Sequence, residues 1–307
     1  MGARLPAVWS TPMAYAADMV ADATHAYVAF TYPGLEGIQK IQLSDGSVTT
    51  LWTQPAQRLL DDGNQLVVVA GNSGSGAYEI HTIAKSGGPS TLWCSTNSYI
   101  YGLTLTPTRL VLAQGFDGHR LVECPRGGAV VDRYVDAAAT GIISKVINVG
   151  EELFFASGKD LWQLPAGSAT PVVRLTITDD FMESLTADDT NVWATSGIYM
   201  NPGGYFASGS IYRLPVTGGP AQTILSLNTG VQGLTVGPTH LFFYNYGANA
   251  LGRLVRLNHD GRDFTVLGWD RGALNFTLVD NRLAWTAYAT EDPYPEGSCL
   301  RVLTVDP

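Results

Sequence analysis

The chain has 307 residues, a formal net charge of −9 and 15% charged residues, together with 34 glycines, seven tryptophans and fourteen tyrosines. This composition excludes a disordered chain, which needs more charge and fewer aromatic residues. The acidic balance, with four lysines and no cluster of Lys and Arg, argues against nucleic acid or an anionic membrane as a partner. The sequence also has no apolar run long enough for a transmembrane helix.

One short phrase recurs along the sequence: two apolar residues three positions apart, then a turn, then a run rich in Thr, Val and Leu. Spaced 40 to 50 residues apart, its copies begin at Ile38, Ile80, Leu121, Leu161, Ile211, Leu254 and Leu300. Repeats of this length without helical periodicity predict propeller blades of four strands. Seven copies predict that residues 1–307 form a single all-β domain, a seven-bladed β-propeller with four-stranded antiparallel blades.

Two kinds of tight turn punctuate each repeat. The first, between the first and second strands, is polar, as at Asp22–His25 and Asp188–Asn191, and we call it the first hinge. The second hinge, between the third and fourth strands, is rich in glycine, as at Asp45-Gly46 and Thr217–Gly219. Glycine adopts a positive φ without a steric clash, and Asp or Asn bonds its own backbone, so both kinds predict hairpins.

The two ends of the sequence complement each other. The last copy, CLRVLTVDP, stops after its third strand, and a spare strand, Ala7–Thr11, precedes the first copy. An open ring would expose two sheet edges, which invites aggregation. We therefore expect Ala7–Thr11 to pair beside Arg301 as the outer strand of the last blade and to close the ring.

In these repeats and hinges the sequence resembles the bacterial superfamily of seven-bladed propeller repeats found in streptogramin lyases and NHL-type proteins. The resemblance covers the whole chain but involves structural residues, without a WD dipeptide or a kelch double glycine. It implies an architecture and no particular activity. Streptogramin-lyase-like chemistry would require a histidine base beside a metal-bound acid set. Of the histidines, His119 alone is expected on the face of the propeller that carries the long loops.

Cys94, Cys124 and Cys299 are odd in number and far apart. We therefore expect neither a disulfide framework nor a zinc site, and we interpret Cys124 and Cys299 as buried packing residues. The N-terminal segment MGARLPAVWS has no apolar signal-peptide core. Two locations are compatible with the sequence: the cytoplasm, or a secreted or periplasmic location after removal of a leader.

The long, variable loops are expected on one face of the propeller, because loops that precede inner strands and loops between second and third strands share a face. Just before each inner strand, polar and charged residues occur where apolar ones would suffice. The predicted ligand-binding residues are Asp18, Arg58, Tyr101, Lys145, Glu183, Gln232 and Asn275, with Tyr199, Tyr205, Tyr244, Tyr246 and Tyr288 from the loops. The alternative is that these polar groups only pair among themselves in a wet channel.

An acidic cluster in TITDDFMES contributes Asp179, Asp180 and Glu183, and a second cluster lies in TEDPYPE. Oxygen ligands suit Ca²⁺ or Mg²⁺. Neither cluster has EF-hand spacing, and paired aspartates are also common in turns. A divalent cation at Asp179, Asp180 and Glu183 is the one cofactor that the sequence suggests.

Three functions remain open at this point. Non-catalytic binding of a small molecule or glycan around the axial channel is favoured, because the HExxH, GxSxG, P-loop and GxGxxG motifs are missing from the sequence. A lyase- or hydrolase-type enzyme would use Glu183, Lys145 or His119, with acid–base chemistry if burial shifts a pKa. The third function is a scaffold that binds other proteins on the same face.

Overall fold

The computed structural model describes residues 7–11, 16–31, 36–71, 77–115, 119–125, 129–136, 142–179, 181–200, 205–246, 251–272, 274–288 and 297–305. Every regular element in these ranges is a β-strand. The described residues contain no helix of the length and hydropathy that crossing a membrane requires.

Seven four-stranded antiparallel sheets form the blades of a ring. Blade 1 contains β2 (Ala16–Ala21), β3 (His25–Phe30), β4 (Gly37–Gln42) and β5 (Val48–Trp52). Blade 2 contains β6 (Ala56–Asp62), β7 (Gln65–Gly71), β8 (Tyr78–Ala84) and β9 (Thr91–Thr96). Blade 3 contains β10 (Ile100–Leu105), β11 (Leu110–Gln114), β12 (His119–Cys124) and β13 (Val131–Asp136). Blade 4 contains β14 (Ile143–Val149), β15 (Glu152–Ser157), β16 (Asp160–Leu164) and β17 (Val172–Thr176).

The remaining blades complete the ring. Blade 5 contains β18 (Phe181–Ala187), β19 (Asn191–Met200), β20 (Tyr205–Pro215) and β21 (Gln222–Leu227). Blade 6 contains β22 (Gly230–Val236), β23 (His240–Tyr246), β24 (Leu251–Asn258) and β25 (Thr265–Arg271). Blade 7 contains β26 (Leu274–Val279), β27 (Arg282–Tyr288), β28 (Ser298–Thr304) and β1 (Ala7–Thr11). The predicted blade count is therefore confirmed, and each copy of the repeated phrase begins in a third strand.

Each blade buries both of its faces against its neighbours. Alternate residues of β3 illustrate the pattern: Val28 and Phe30 join a cluster with blade 7, whereas Tyr27 and Ala29 join one with blade 2. Side chains point to opposite faces of a strand at every step, so a second strand flanked by two blades must be apolar throughout. A blade on its own would leave both of these faces in water, which explains why the phrase is repeated.

The N-terminal strand closes the ring, as the sequence predicts. β1 pairs antiparallel with β28, and Ala7 lies opposite Arg301. Across the junction with blade 1, the backbone N–H of Ala16 donates to Ser298 Oγ at 2.9 Å. The ring of Trp9 packs against that of Phe30, with the ring centres 5.9 Å apart. Closure therefore combines a β-ladder, a buried hydrogen bond and an aromatic contact.

A buried ion pair joins blades 6 and 7 beside this closure. Asp270, at the outer strand of blade 6, pairs with Arg301, and both side chains are almost fully buried. Trp285 Nε1 donates to Asp270 Oδ2 at 3.0 Å, and the Tyr244 hydroxyl donates to the Asp270 carbonyl at 2.8 Å. A buried charge without partners is strongly destabilising, so these contacts fix Arg301 and the strand beside it.

The first hinges of blades 1 and 5 are organised by acidic side chains. Asp188 Oδ1 accepts from the backbone N–H groups of Thr190 and Asn191, each at 2.8 Å, and Oδ2 accepts from Trp193 Nε1 at 2.8 Å. Asp22 accepts in the same way at the hinge of blade 1. The repeated polar hinge thus links a turn to an aromatic residue of the second strand, which is why Asp recurs there.

The structure corrects the expectation that the cysteines form no disulfide. Cys94 on β9 is bonded to Cys124 on β12, with their Cα atoms 6.1 Å apart, while Cys299 is a buried free thiol. The bond connects blades 2 and 3 and closes a loop of 30 residues. A loop of this length is expected to contribute about 3.6 kcal/mol to stability. Sequence spacing alone missed it because the cysteines meet only when the two blades stack.

The hinge bonds predict the effect of Asp188→Ala. This substitution leaves two backbone donors and an indole N–H without their acceptor, so we expect a loss of about 2 kcal/mol in the free energy of unfolding, measured by urea denaturation. Asp189→Ala is the matched control, because the adjacent Asp189 is exposed. Equal losses in both variants would contradict the role of the Asp188 bonds.

The hydrogen bonds of Asp188 also predict that the stability of the protein depends on pH. Partial burial opposes the ionised form of Asp188, but the hydrogen bonds from Trp193, Thr190 and Asn191 outweigh it and lower the pKa of Asp188. A lowered pKa stabilises the fold above the unfolded-state value near 4 and loses that contribution as the pH falls through the folded-state pKa. The stability difference between wild type and Asp188→Ala should therefore shrink below about pH 4. A difference independent of pH would contradict this account.

Candidate functional site

A β-bulge interrupts the inner strand of every blade at the positions that the sequence analysis singled out. The register against the second strand shifts, for example, between Ala16 and Asp18 and between Ile143 and Lys145. The other five inner strands shift in the same region. The nominated residues thus lie within the inner strands and not before them, which corrects the expectation. Bulges redirect side chains and are frequent beside functional sites.

Asp18 anchors the site on blade 1 and connects it to blade 2. Its carboxylate accepts from the backbone N–H of Met19 at 2.9 Å and from that of Leu59, on the neighbouring inner strand, at 2.9 Å. Burial raises the pKa of Asp18, and the positive charges of Arg58 and Lys145 together with these hydrogen bonds oppose the rise. The Asp18 carboxylate is therefore engaged by the backbone while it feels both cations.

Glu183 and Lys145 extend this charged group to blades 4 and 5. Burial raises the pKa of Glu183, whose carboxylate accepts from Gln232 Nε2 at 3.0 Å. Burial also lowers the pKa of Lys145, followed by repulsion from Arg58, while Glu183 and Asp18 act in the opposite direction. Lys145 nevertheless remains accessible to water. Both observations fit an ammonium group in a wet opening that protein surrounds.

Arg58 and Lys145 have no direct partner in the part of the chain that the structure describes. In the described ranges, neither side chain forms a hydrogen bond or an ion pair within 4 Å, although their charges interact with the two acids. The structure therefore brings Asp18, Arg58, Lys145 and Glu183, from four different blades, into one electrostatic group near the axis. The two acids are hydrogen-bonded and the two cations are open.

Tyr101 and Asn275 lie on the same bulges but are held by neighbours. The Tyr101 ring packs against Gly115, where a Cβ would approach Tyr101 Cε2 to 1.9 Å, and against Tyr99, with ring centres 4.7 Å apart. Asn275 Nδ2 donates to Thr286 Oγ1 at 3.2 Å. Both side chains are therefore fixed by neighbouring residues.

The structure corrects one predicted loop tyrosine. Tyr244 is fully buried in the core between blades 6 and 7, and its hydroxyl bonds the Asp270 carbonyl and the Gly272 N–H. Its ring packs in the apolar core and its hydroxyl is hydrogen-bonded, so Tyr244 does not line the face that carries the long loops, which we call the loop face. Tyr288 is half-buried and packs over Gly272. The side chains of Tyr199, Tyr205 and Tyr246 lie outside the described residues.

The predicted cation site is described only in part. The Ser196 hydroxyl donates to Asp179, Glu183 is bonded to Gln232, and Asp180 lies outside the described residues. Within the residues that are described, no three Asp, Glu, His or Cys side chains are close enough to hold a metal ion. A cation therefore stays a prediction. The side chain of His119, at the start of β12, is likewise outside the described residues.

A wide cavity of about 1070 Å³ opens on the opposite face, which carries the hinges, between blades 2, 3 and 4. Arg109 lies in its wall and pairs with Glu123 at 2.9 Å and Glu151 at 3.1 Å. Its charged groups thus satisfy one another. The volume of this cavity favours it as the binding site, whereas the two cations without direct partners among the described residues favour the axis. We consider the charges the better guide, because a ligand must replace the hydrogen bonds that it and the site lose on binding.

No family model matches the sequence, and no curated protein matches it either. The solved structures that it resembles include β-propeller and WD40 domains. It is similar to the Pan2 WD40 domain of Neurospora crassa, with 11% identity, a TM-score of 0.66 and coverage of 95% of this chain and 92% of that one.

Two further structures cover nearly the whole chain. The propeller domain of the trilobed protease from Pyrococcus furiosus, described as having an open velcro topology, has 12% identity, a TM-score of 0.64 and coverage of 96% and 100% of the two chains. A chain in the mitotic checkpoint complex has 13% identity, a TM-score of 0.64 and coverage of 100% and 95%. At these identities the likeness shows the propeller fold alone.

The charged group predicts how Glu183→Gln affects Lys145. The Glu183 carboxylate favours the charged ammonium, so we expect its neutralisation to lower the pKa of Lys145 further, measured by NMR of the labelled lysine side chain. Glu151→Gln is the control with the same change of charge on the hinge face. An unchanged pKa in Glu183→Gln would contradict the placement of these two groups.

Proposed function

We propose that this protein is a non-catalytic binding propeller that recognises a small molecule or a glycan around its axis, on the loop face. The observation that carries the proposal is the pair of cations, Arg58 and Lys145, which have no direct partner among the described residues and lie beside two hydrogen-bonded acids. Polar groups that only line a wet channel would be expected to pair among themselves. Convergent polar groups that remain open are typical of ligand sites.

The surrounding wall supports the same function. Tyr101 offers an aromatic ring held by Gly115, and aromatic rings combine a large contact area with a polar handle. Gln232 and Asn275 contribute amides on the neighbouring bulges. A sugar or another polar small molecule needs such a mixture of rings, amides and charges.

A lyase- or hydrolase-type activity is the second candidate. It is favoured by the opposite pKa shifts of Glu183 and Lys145, which bring an acid and a base towards each other's range. In that case Glu183→Gln would abolish turnover while leaving binding in place. Retention of every activity and every ligand affinity in Glu183→Gln would rule out this candidate.

The compartment belongs to the proposal as well. The bond between Cys94 and Cys124 favours an oxidising location, which means secreted or periplasmic over cytoplasmic, because cytosolic thiols are usually kept reduced. Alkylation of the two cysteines in protein taken from its native compartment, before any reduction, would contradict this location.

A thermal-shift screen tests the binding function. Neutral sugars, charged sugars and divalent cations, each with and without a chelator, are added to the full chain, and a specific ligand raises the melting temperature by mass action. We expect Gln232→Ala to reduce the shift because Gln232 contributes an amide to the site, and Gln65→Ala, at the hinge end of β7, to preserve it.

Equal shifts in both variants would place the ligand elsewhere. A screen in which no compound raises the melting temperature, together with capture of a protein partner through the loop face, would favour the scaffold function instead. Such an outcome would overturn the proposal.

A further inference from the structure

We infer that the axial site takes an anion, a ligand that presents a carboxylate or a phosphate group to Arg58 and Lys145. This inference rests on the proposed binding function and specifies the class of ligand. It is carried by the positions of the two cations, by the blade between them and by the hydrogen bonds of the two acids.

The two cations occupy the same register on blades that are one apart. Arg58 lies opposite Val69 and Lys145 opposite Ala156, each directly after the bulge of its inner strand. On blade 3, between them, the equivalent residue is Gly102, opposite Ala113. At this register the intervening blade therefore contributes no side chain of its own. Tyr101 comes from the bulge itself, one residue before this register, and its ring packs against Gly115.

The two acids are already occupied by protein donors. Asp18 accepts from two backbone N–H groups, and Glu183 accepts from the Gln232 amide. They moderate the positive charge at the axis, but neither comes within 4 Å of a cationic nitrogen among the residues described. A cationic ligand would be repelled by Arg58 and Lys145, and both acids already accept hydrogen bonds from the protein.

The donors suit a compact anion. Arginine offers a planar fork that binds a carboxylate or phosphate in a bidentate manner, and lysine offers a point charge with three donors. The two cations repel each other, as the effect of Arg58 on Lys145 shows. An anion between them would replace this repulsion with two charge-assisted hydrogen bonds. A neutral sugar could use the wall of the site but not this gap.

Titration calorimetry with glucuronate, glucose and inorganic phosphate, at matched ionic strength in chloride, tests the inference on the full chain. We expect glucuronate to bind at least about tenfold more tightly than glucose, because a charge-assisted hydrogen bond contributes more than a neutral one. Binding of phosphate together with glucuronate, or of phosphate alone, also supports an anionic ligand. The affinities for glucuronate and phosphate then show whether a carboxylate or a phosphate group is preferred.

Arg58→Gln and Lys145→Met should each weaken anion binding by about tenfold or more. Lys159→Met is the matched control, because Lys159 lies on the same face, between β15 and β16, and donates to the Thr178 carbonyl at 3.3 Å. Should either site variant fail to fold, the wild-type protein still reports: added anion should shift the NMR signal of the Lys145 side chain and leave that of Lys159 unchanged.

Three results would overturn the inference. If glucose binds as tightly as glucuronate, the proposed binding function is kept, but the inference that the ligand is an anion is wrong. If anions bind equally well to Arg58→Gln and Lys145→Met, the anion site lies elsewhere. If neither phosphate nor glucuronate binds or shifts the Lys145 signal at millimolar concentration, the gap is not an anion site, and failure of glucose as well would count against the binding function.

Discussion

The pairing of β1 with β28 is the contact on which the rest of the structure depends. Each blade has two apolar faces, so the ring is stable only when every blade has a neighbour on both sides. Blade 7 obtains its fourth strand from the other end of the chain. This pairing holds blade 7 between blades 6 and 1, and the circle of inner strands brings residues from distant parts of the sequence to one axis.

The architecture can be predicted from the sequence because the sequence pattern of one blade is repeated seven times. Seven phrases with apolar alternation and polar hinges specify seven sheets, and the incomplete last copy specifies how the ring closes. The positions around the axis could also be found, since each is counted from a hinge. Asp18, Arg58, Lys145 and Glu183 do converge there, and their charges interact across blades. Local patterns repeated in register therefore carried both the fold and the placement of these four residues near the axis.

What the sequence did not specify depends on contacts between blades. The disulfide joins two outer segments of neighbouring blades, and the Asp270–Arg301 pair joins blade 6 to blade 7. Tyr244 looked like a loop residue because it ends an apolar strand near variable sequence, yet its hydroxyl satisfies buried backbone groups. Which polar groups pair and which stay open, as Lys145 does, also follows only from three-dimensional neighbours.

Hydrogen exchange of the backbone amides tests this account most directly. If Ala7–Thr11 is the outer strand of blade 7, its ladder amides should exchange slowly, on the time scale of those in β28, although the segment lies near the end of the chain. Exchange of these amides as fast as in an unstructured peptide, with β28 still protected, would show that the N-terminal strand does not close the ring and would remove the basis for the site at its axis.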